Sequence, residues 1–199
     1  YTLSDEGPWP AAFEQCCAVG RYVYEQCSSW GGDPNRISIG GYSAGGNLAM
    51  CVALKAVQTG DFPLCLVVNG YGPVDLATTP QEKAQAAGVE WMMPPERDRL
   101  FTELYLDGDF SLAVNPYVSP AFASDGLLAR MPRTLICTAG NCSFRFEDEA
   151  LGARMAALGV EVTMRRFPGA EHGFIPHFME GWEDGADLIA RRIREAGLS

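Results

Sequence analysis

Residues 36–54 read RISIGGYSAGGNLAMCVAL, and this stretch decides the fold. A short β-branched segment, Ile37-Ser38-Ile39, runs into Gly41-Tyr42-Ser43-Ala44-Gly45. From Ala44 to Val57 the chain is rich in helix formers with an apolar face. Strand, glycine-flanked serine and helix in immediate succession make a G-x-S-x-G nucleophile elbow in the context it requires. A serine in so tight a turn needs neighbours without a β-carbon, so that strand and helix can approach closely. The turn lifts the Ser43 hydroxyl clear of the sheet at a helix N-terminus, where the Ala44 amide can donate to an oxyanion.

Outward from the elbow, strands and helices alternate. Leu64–Val68, Thr134–Thr138 and Val160–Met164 are short, apolar and partly β-branched, as buried strands are. Residues 11–28 place Phe13, Cys16, Cys17, Val23, Tyr24 and Cys27 at roughly helical spacing, and Glu147–Leu158 and Trp182–Arg194 also read as helices. The alternation predicts an α/β fold with a mostly parallel sheet and helices on both faces. One connection is much longer than the rest, from Asp75 to about Met131. It holds EWMMPPERDRLFTELYLDG (90–108), expected to be helical on either side of Pro94-Pro95, then NPYVSPAF (115–122), expected to be extended. Such a connection serves as a lid or substrate wall, or simply packs on the sheet as a helical excursion.

With 199 residues, 47% hydrophobic and 20% charged, the chain suits one domain with a sizeable core. The formal net charge of −10, without a run of lysine or arginine, argues against nucleic acid or an anionic membrane surface as partner. Within these residues no apolar run reaches membrane-spanning length and no signal-peptide pattern is seen. Seven cysteines, with Cys16 and Cys17 adjacent, read as reduced, mostly buried thiols in a cytoplasmic protein rather than as a disulfide framework.

Of the two histidines, His172 lies in FPGAEHGF (167–174), a loop after the last strand, and follows the serine in the chain. That placement makes it the candidate general base, while His177, nearer the next helix, reads as structural or exposed. Neither has a partner at metal-ligand spacing, so neither a metal nor a cofactor is expected.

At this point the sequence resembles the hormone-sensitive-lipase-like branch of the α/β-hydrolases, which includes acetyl esterases and carboxylesterases. The resemblance is carried in order by YTLSDEGPWPAAFEQCCAV (1–19), DPNRISIGGYSAGGNLA (33–49), NPYVSPAFA (115–123), PRTLICTAG (132–140) and EHGF (171–174). It implies a serine carboxylesterase for small or medium acyl esters, with Ser43 as nucleophile, His172 as base and the Ala44 amide as one oxyanion donor. An acyl-enzyme would form and water would release it.

Three departures from the family stand out. The family segment TAG-x-D-x-L-R carries the triad acid, and laid over TAGNCSFR (138–145) it puts Cys142 where the aspartate belongs. A free thiol is mostly protonated at neutral pH and does not stabilise an imidazolium as a carboxylate does. Asp75, after the preceding strand, is a candidate for a migrated acid or else a turn or capping residue. Glu147 and Asp148 open the next helix, suit its dipole and stand a turn too far from the loop. Secondly, relatives place an HGGG-type oxyanion loop ahead of the segment matched by Tyr1 onward. This implies that the N-terminal strands of the fold are missing and that RISIG becomes an exposed edge, covered by a second copy or a partner chain. Thirdly, Tyr42 stands where relatives often carry aspartate. The alternatives are a catalytically impaired hydrolase-like binding or scaffold protein and, more remotely, a Cys142 nucleophile paired with His172.

Overall fold

The computed structural model describes residues 1–90 and 95–198. Four parallel strands, β1 (Ser38–Tyr42), β2 (Leu66–Gly70), β3 (Thr134–Ala139) and β4 (Val162–Phe167), lie in the order β1-β2-β3-β4. The helices are α1 (Ala11–Gln26), α2 (Ala44–Thr59), α3 (Pro80–Ala87), α4 (Pro95–Leu106), α5 (Asp125–Leu128), α6 (Arg145–Ala157) and α7 (Trp182–Ala196). No helix among the described residues is long and apolar enough to cross a membrane.

β2 and β3 are buried along their whole length, which is why both read as unbroken apolar runs. Their alternate side chains serve opposite faces. Val67 packs with Met50 and Leu54 of α2 and with Leu151 and Met155 of α6. Leu66, Val68, Leu135 and Cys137 pack towards α7, with Phe167 and Phe174. α1 lies outside α2, with Phe13 against Leu48, Cys51 and Val52. The middle of α2 is thus buried on all sides, which explains a sequence without charge from Ala44 to Leu54. Met50, Val52 and Leu54 are fully buried, each stabilising the fold by about 1.5–3 kcal/mol through burial.

At the sheet margins the strands are partly exposed. β4 turns Arg165 and Arg166 outward, a charged edge that discourages further pairing. β1 has β2 on one side, and among the described residues no strand pairs with its other side. All seven cysteines are free, with Cys27, Cys51, Cys137 and Cys142 buried.

The long connection differs from the sequence expectation in one respect. NPYVSPAF is not extended: Asn115 Oδ1 accepts from the Tyr117 amide at 2.9 Å, and its carbonyl accepts from Val118 and Ser119, so the prolines punctuate consecutive turns. α4 starts at Pro95, where a proline's missing donor costs nothing. The helical reading ahead of Pro94-Pro95 falls on residues 91–94 and lies outside the described residues. Val118, Leu128 and Met131 are buried, so the second half of the connection packs on the body of the domain.

Candidate active site

Ser43 occupies the bend between β1 and α2 at φ 53°, ψ −124°, a left-handed conformation that a serine adopts only where its surroundings impose it. Its amide donates to the Gly70 carbonyl at 2.9 Å, and its carbonyl accepts from Gly46 at 2.9 Å and Asn47 at 3.1 Å. The Asn47 side chain donates to the carbonyls of Pro73 and Val118, fixing α2 against the neighbouring loops. A β-carbon at Gly41 would stand 2.4 Å from the Gly45 carbonyl group, so this glycine is sterically required. Gly41→Ala is therefore expected to lower stability by about 1–3 kcal/mol or more and to displace Ser43. Thermal denaturation together with serine-directed labelling checks both effects.

The loop after β4 brings His172 over the elbow, with Nε2 2.8 Å from Ser43 Oγ. Beneath it, Gly140 donates to Phe167 at 2.8 Å and Asn141 to Ala170 at 3.0 Å, lacing the loop after β3 to the loop that carries the histidine. This lacing puts Cys142 Sγ 3.3 Å from His172 Nδ1. The residue at the family's acid position is thus in contact with the histidine, but it is a thiol. Burial pushes the Cys142 thiol up to about 12, and the Phe144 amide hydrogen-bonded to the sulfur opposes this only in part. Burial also pulls His172 down to about 4, with a smaller contribution from nearby His177, which is exposed. Both members therefore rest uncharged at neutral pH.

Asp75 does not reach the histidine. Its Oδ1 accepts from the Ala77 and Thr78 amides and its Oδ2 from the Thr78 hydroxyl at 2.7 Å, so it closes a turn ahead of α3. It lines a cleft of about 470 Å³ with Lys83, Ser143, Glu147 and Arg154, a cleft to which neither Ser43 nor His172 contributes. The structure thus corrects the migrated-acid reading of Asp75, because both carboxylate oxygens are engaged locally. Ala44 is the first residue of α2, and its amide is one of the orphan donors at that helix N-terminus.

Two features were not anticipated from sequence. Tyr71 and Phe144 each form a T-shaped contact with the His172 ring, at centroid distances of 5.1 and 5.5 Å. Glu147 and Asp148, read as helix-dipole residues, do open α6, but Asp148 is buried and the Glu147 side chain is only 10% exposed. Glu147 pairs with Lys83 at 2.9 Å, while Asp148 Oδ1 accepts from Asn69 at 2.7 Å. No sequence signal marks Tyr71. A charge opposite the pair was invisible because Lys83 lies 64 residues from Glu147.

A parallel sheet with a strained serine between strand and helix, facing a loop histidine, defines a hydrolase-type scaffold. The alpha/beta hydrolase fold family matches residues 1–176, and the chain belongs to that family. Within it the chain stands with the esterases related to hormone-sensitive lipase. It is 30% identical over 182 residues to carboxylesterase NlhH of Mycobacterium tuberculosis, covering 88% of this chain and 54% of that protein. Mouse hormone-sensitive lipase matches at 33% over 95 residues, 48% of this chain and 12% of the lipase. Carboxyl esterase 2 of Tuber melanosporum superposes with a TM-score of 0.90 at 29% identity, covering 99% of this chain and 66% of the esterase. The chain spans about half the length of the curated relatives it matches.

Proposed function

We propose that the protein is a serine carboxylesterase acting on small or medium acyl esters, with Ser43 as nucleophile and His172 as general base. The observation that carries this reading is the 2.8 Å contact between Ser43 Oγ and His172 Nε2 at a strained elbow. Ser43 Oγ attacks the ester carbonyl as Nε2 takes its proton, and the Ala44 amide donates to the carbonyl oxygen as it becomes anionic. Collapse of the tetrahedral adduct expels the alkoxide, which takes the proton from His172, and leaves Ser43 acylated. Water then repeats both halves of the sequence and frees the acid.

For Nε2 to accept the serine proton, the resting histidine must carry its own proton on Nδ1, which then donates to Cys142 Sγ. A thiol sulfur is a weak acceptor, and it offers no charge to the imidazolium that forms. This supports an esterase of low turnover. It also favours the second reading, a hydrolase-like binding protein in which the pocket outlasts the chemistry.

Intact-mass analysis after fluorophosphonate treatment tests the choice. A single adduct that forms rapidly and is lost in Ser43→Ala and His172→Ala is the expected result. No adduct, or one untouched by either substitution, would overturn the esterase reading in favour of binding without turnover.

A further inference from the structure

A triad carboxylate does two things: it orients the imidazole and it compensates the charge that develops there. The Cys142 thiol, neutral and 3.3 Å from Nδ1, supplies one weak hydrogen bond and no charge. Orientation must then come from elsewhere, and His172 is walled by two aromatic rings. Tyr71 meets it at a ring angle of 67° and Phe144 at 81°.

Neither ring is free to move. Tyr71 directly follows β2, is 1% exposed and sits at φ 45°, where a tyrosine is strained. Such strain persists where the surroundings over-determine it, and it concentrates at functional sites. The Tyr71 amide donates to the Cys137 carbonyl at 2.8 Å, and its ring packs on Tyr42 at 5.7 Å and Phe174 at 5.4 Å. Phe144 stands two residues beyond Cys142, with its amide on the Cys142 sulfur and its ring 4.9 Å from the Lys83 ammonium. The strand exits that deliver the elbow contact and the thiol therefore also deliver the two rings.

We infer that Tyr71 and Phe144 are positioning residues that hold the His172 ring in line with Ser43 Oγ, taking over the orienting half of a triad carboxylate's work. The inference rests on the proposed roles of Ser43 and His172. Its rival is ordinary packing, since both rings belong to one buried apolar cluster with Cys142 and Phe174.

A double-mutant cycle separates the two. On a short-chain aryl ester, Phe144→Leu is expected to lower kcat about tenfold with KM nearly unchanged, as coupled neighbours do. In a Cys142→Asp background, where a carboxylate orients the ring, the same substitution is expected to cost less than about threefold. Equal losses in both backgrounds would overturn the inference. Phe144→Met, which keeps apolar volume without an aromatic ring, replaces the leucine variant if that fails to fold.

A second readout is independent of turnover. In ¹⁵N-histidine NMR at neutral pH the native His172 is expected to show one Nδ1-protonated tautomer, and Phe144→Leu a mixture. An unchanged tautomer in Phe144→Leu would overturn the positioning role whether or not the protein hydrolyses esters. A shifted tautomer in a protein that fluorophosphonate fails to label would keep the clamp and remove the esterase reading.

Discussion

Cys142→Asp is expected to raise kcat/KM on activated short-chain esters by about 10²–10⁴, the inverse of the loss seen when a triad acid becomes neutral. The geometry is already in place. The Cys142 sulfur lies 3.3 Å from His172 Nδ1, and the Phe144 amide that now meets the sulfur can donate to a carboxylate instead. What the native site lacks is charge, because burial holds the thiol up near 12 and keeps it protonated. The pH–rate profile supplies a second signature. Native His172, pulled down to about 4 by burial, stays neutral and able to accept a proton at all higher pH. A neighbouring carboxylate favours the imidazolium and raises that value, so the acid limb of the variant's profile should move to higher pH. The new carboxylate is itself buried near Asp148 and Glu147, and about 1–3 kcal/mol of stability is expected to be lost. Steady-state kinetics beside Cys142→Ser, which changes size without adding charge, checks the argument. No gain in the aspartate variant would mean that charge at position 142 does not limit the reaction.

What the sequence disclosed and what it withheld divide along physical lines. The strands were legible because a central parallel strand is buried on both faces, so Leu64–Val68 and Thr134–Thr138 fall within two residues of the observed Leu66–Gly70 and Thr134–Ala139. The elbow was legible because its constraints are local: Gly41, Ser43 and the start of α2 adjoin in the chain. Cys142 at the acid position followed from alignment to a motif, and the contact with His172 depends on the lacing of residues 140–141 to the loop before the histidine. Asp75 stayed open because an aspartate after a strand suits a migrated acid or, more commonly, a turn, and the Thr78 hydroxyl that decides for the turn is an ordinary residue three positions on. The long-range partners could not be read at all. Nothing in Glu147 or Asp148 announces that α6 turns them inward, towards Lys83 of α3 and Asn69 of β2.

Glu147→Ala is expected to destabilise the protein by about 3–5 kcal/mol, the usual cost of stranding one member of a buried ion pair. Glu147 Oε1 accepts from the Val74 amide at 2.9 Å and the Asp75 amide at 3.3 Å, and the carboxylate pairs with Lys83. The two side chains are only 7% and 10% exposed, so water cannot replace the lost partner. For a chain of this size the melting temperature should fall by about 6–20 °C. A double replacement, Lys83→Met with Glu147→Met, should recover most of the loss, because two well-packed apolar side chains leave no buried charge. The same carboxylate sets a pH dependence. Burial lifts Glu147 from its ordinary 4.5 to about 7, against the pull of Lys83, and burial also raises Asp148, whose Oδ2 has no hydrogen-bond partner among the described residues. Between about pH 4.5 and 7 the folded protein therefore holds protons that the unfolded chain has released, and stability must fall as pH rises through that window. Asp148→Asn cannot ionise, keeps an oxygen for Asn69, and is expected to reduce the slope in denaturant titrations run across the window. A slope of opposite sign would mean that ionised Glu147 is the favoured folded form, with Lys83 outweighing burial. In either case Lys83, seated between Glu147 and the Phe144 ring, ties the stability of α6 to the wall that holds His172.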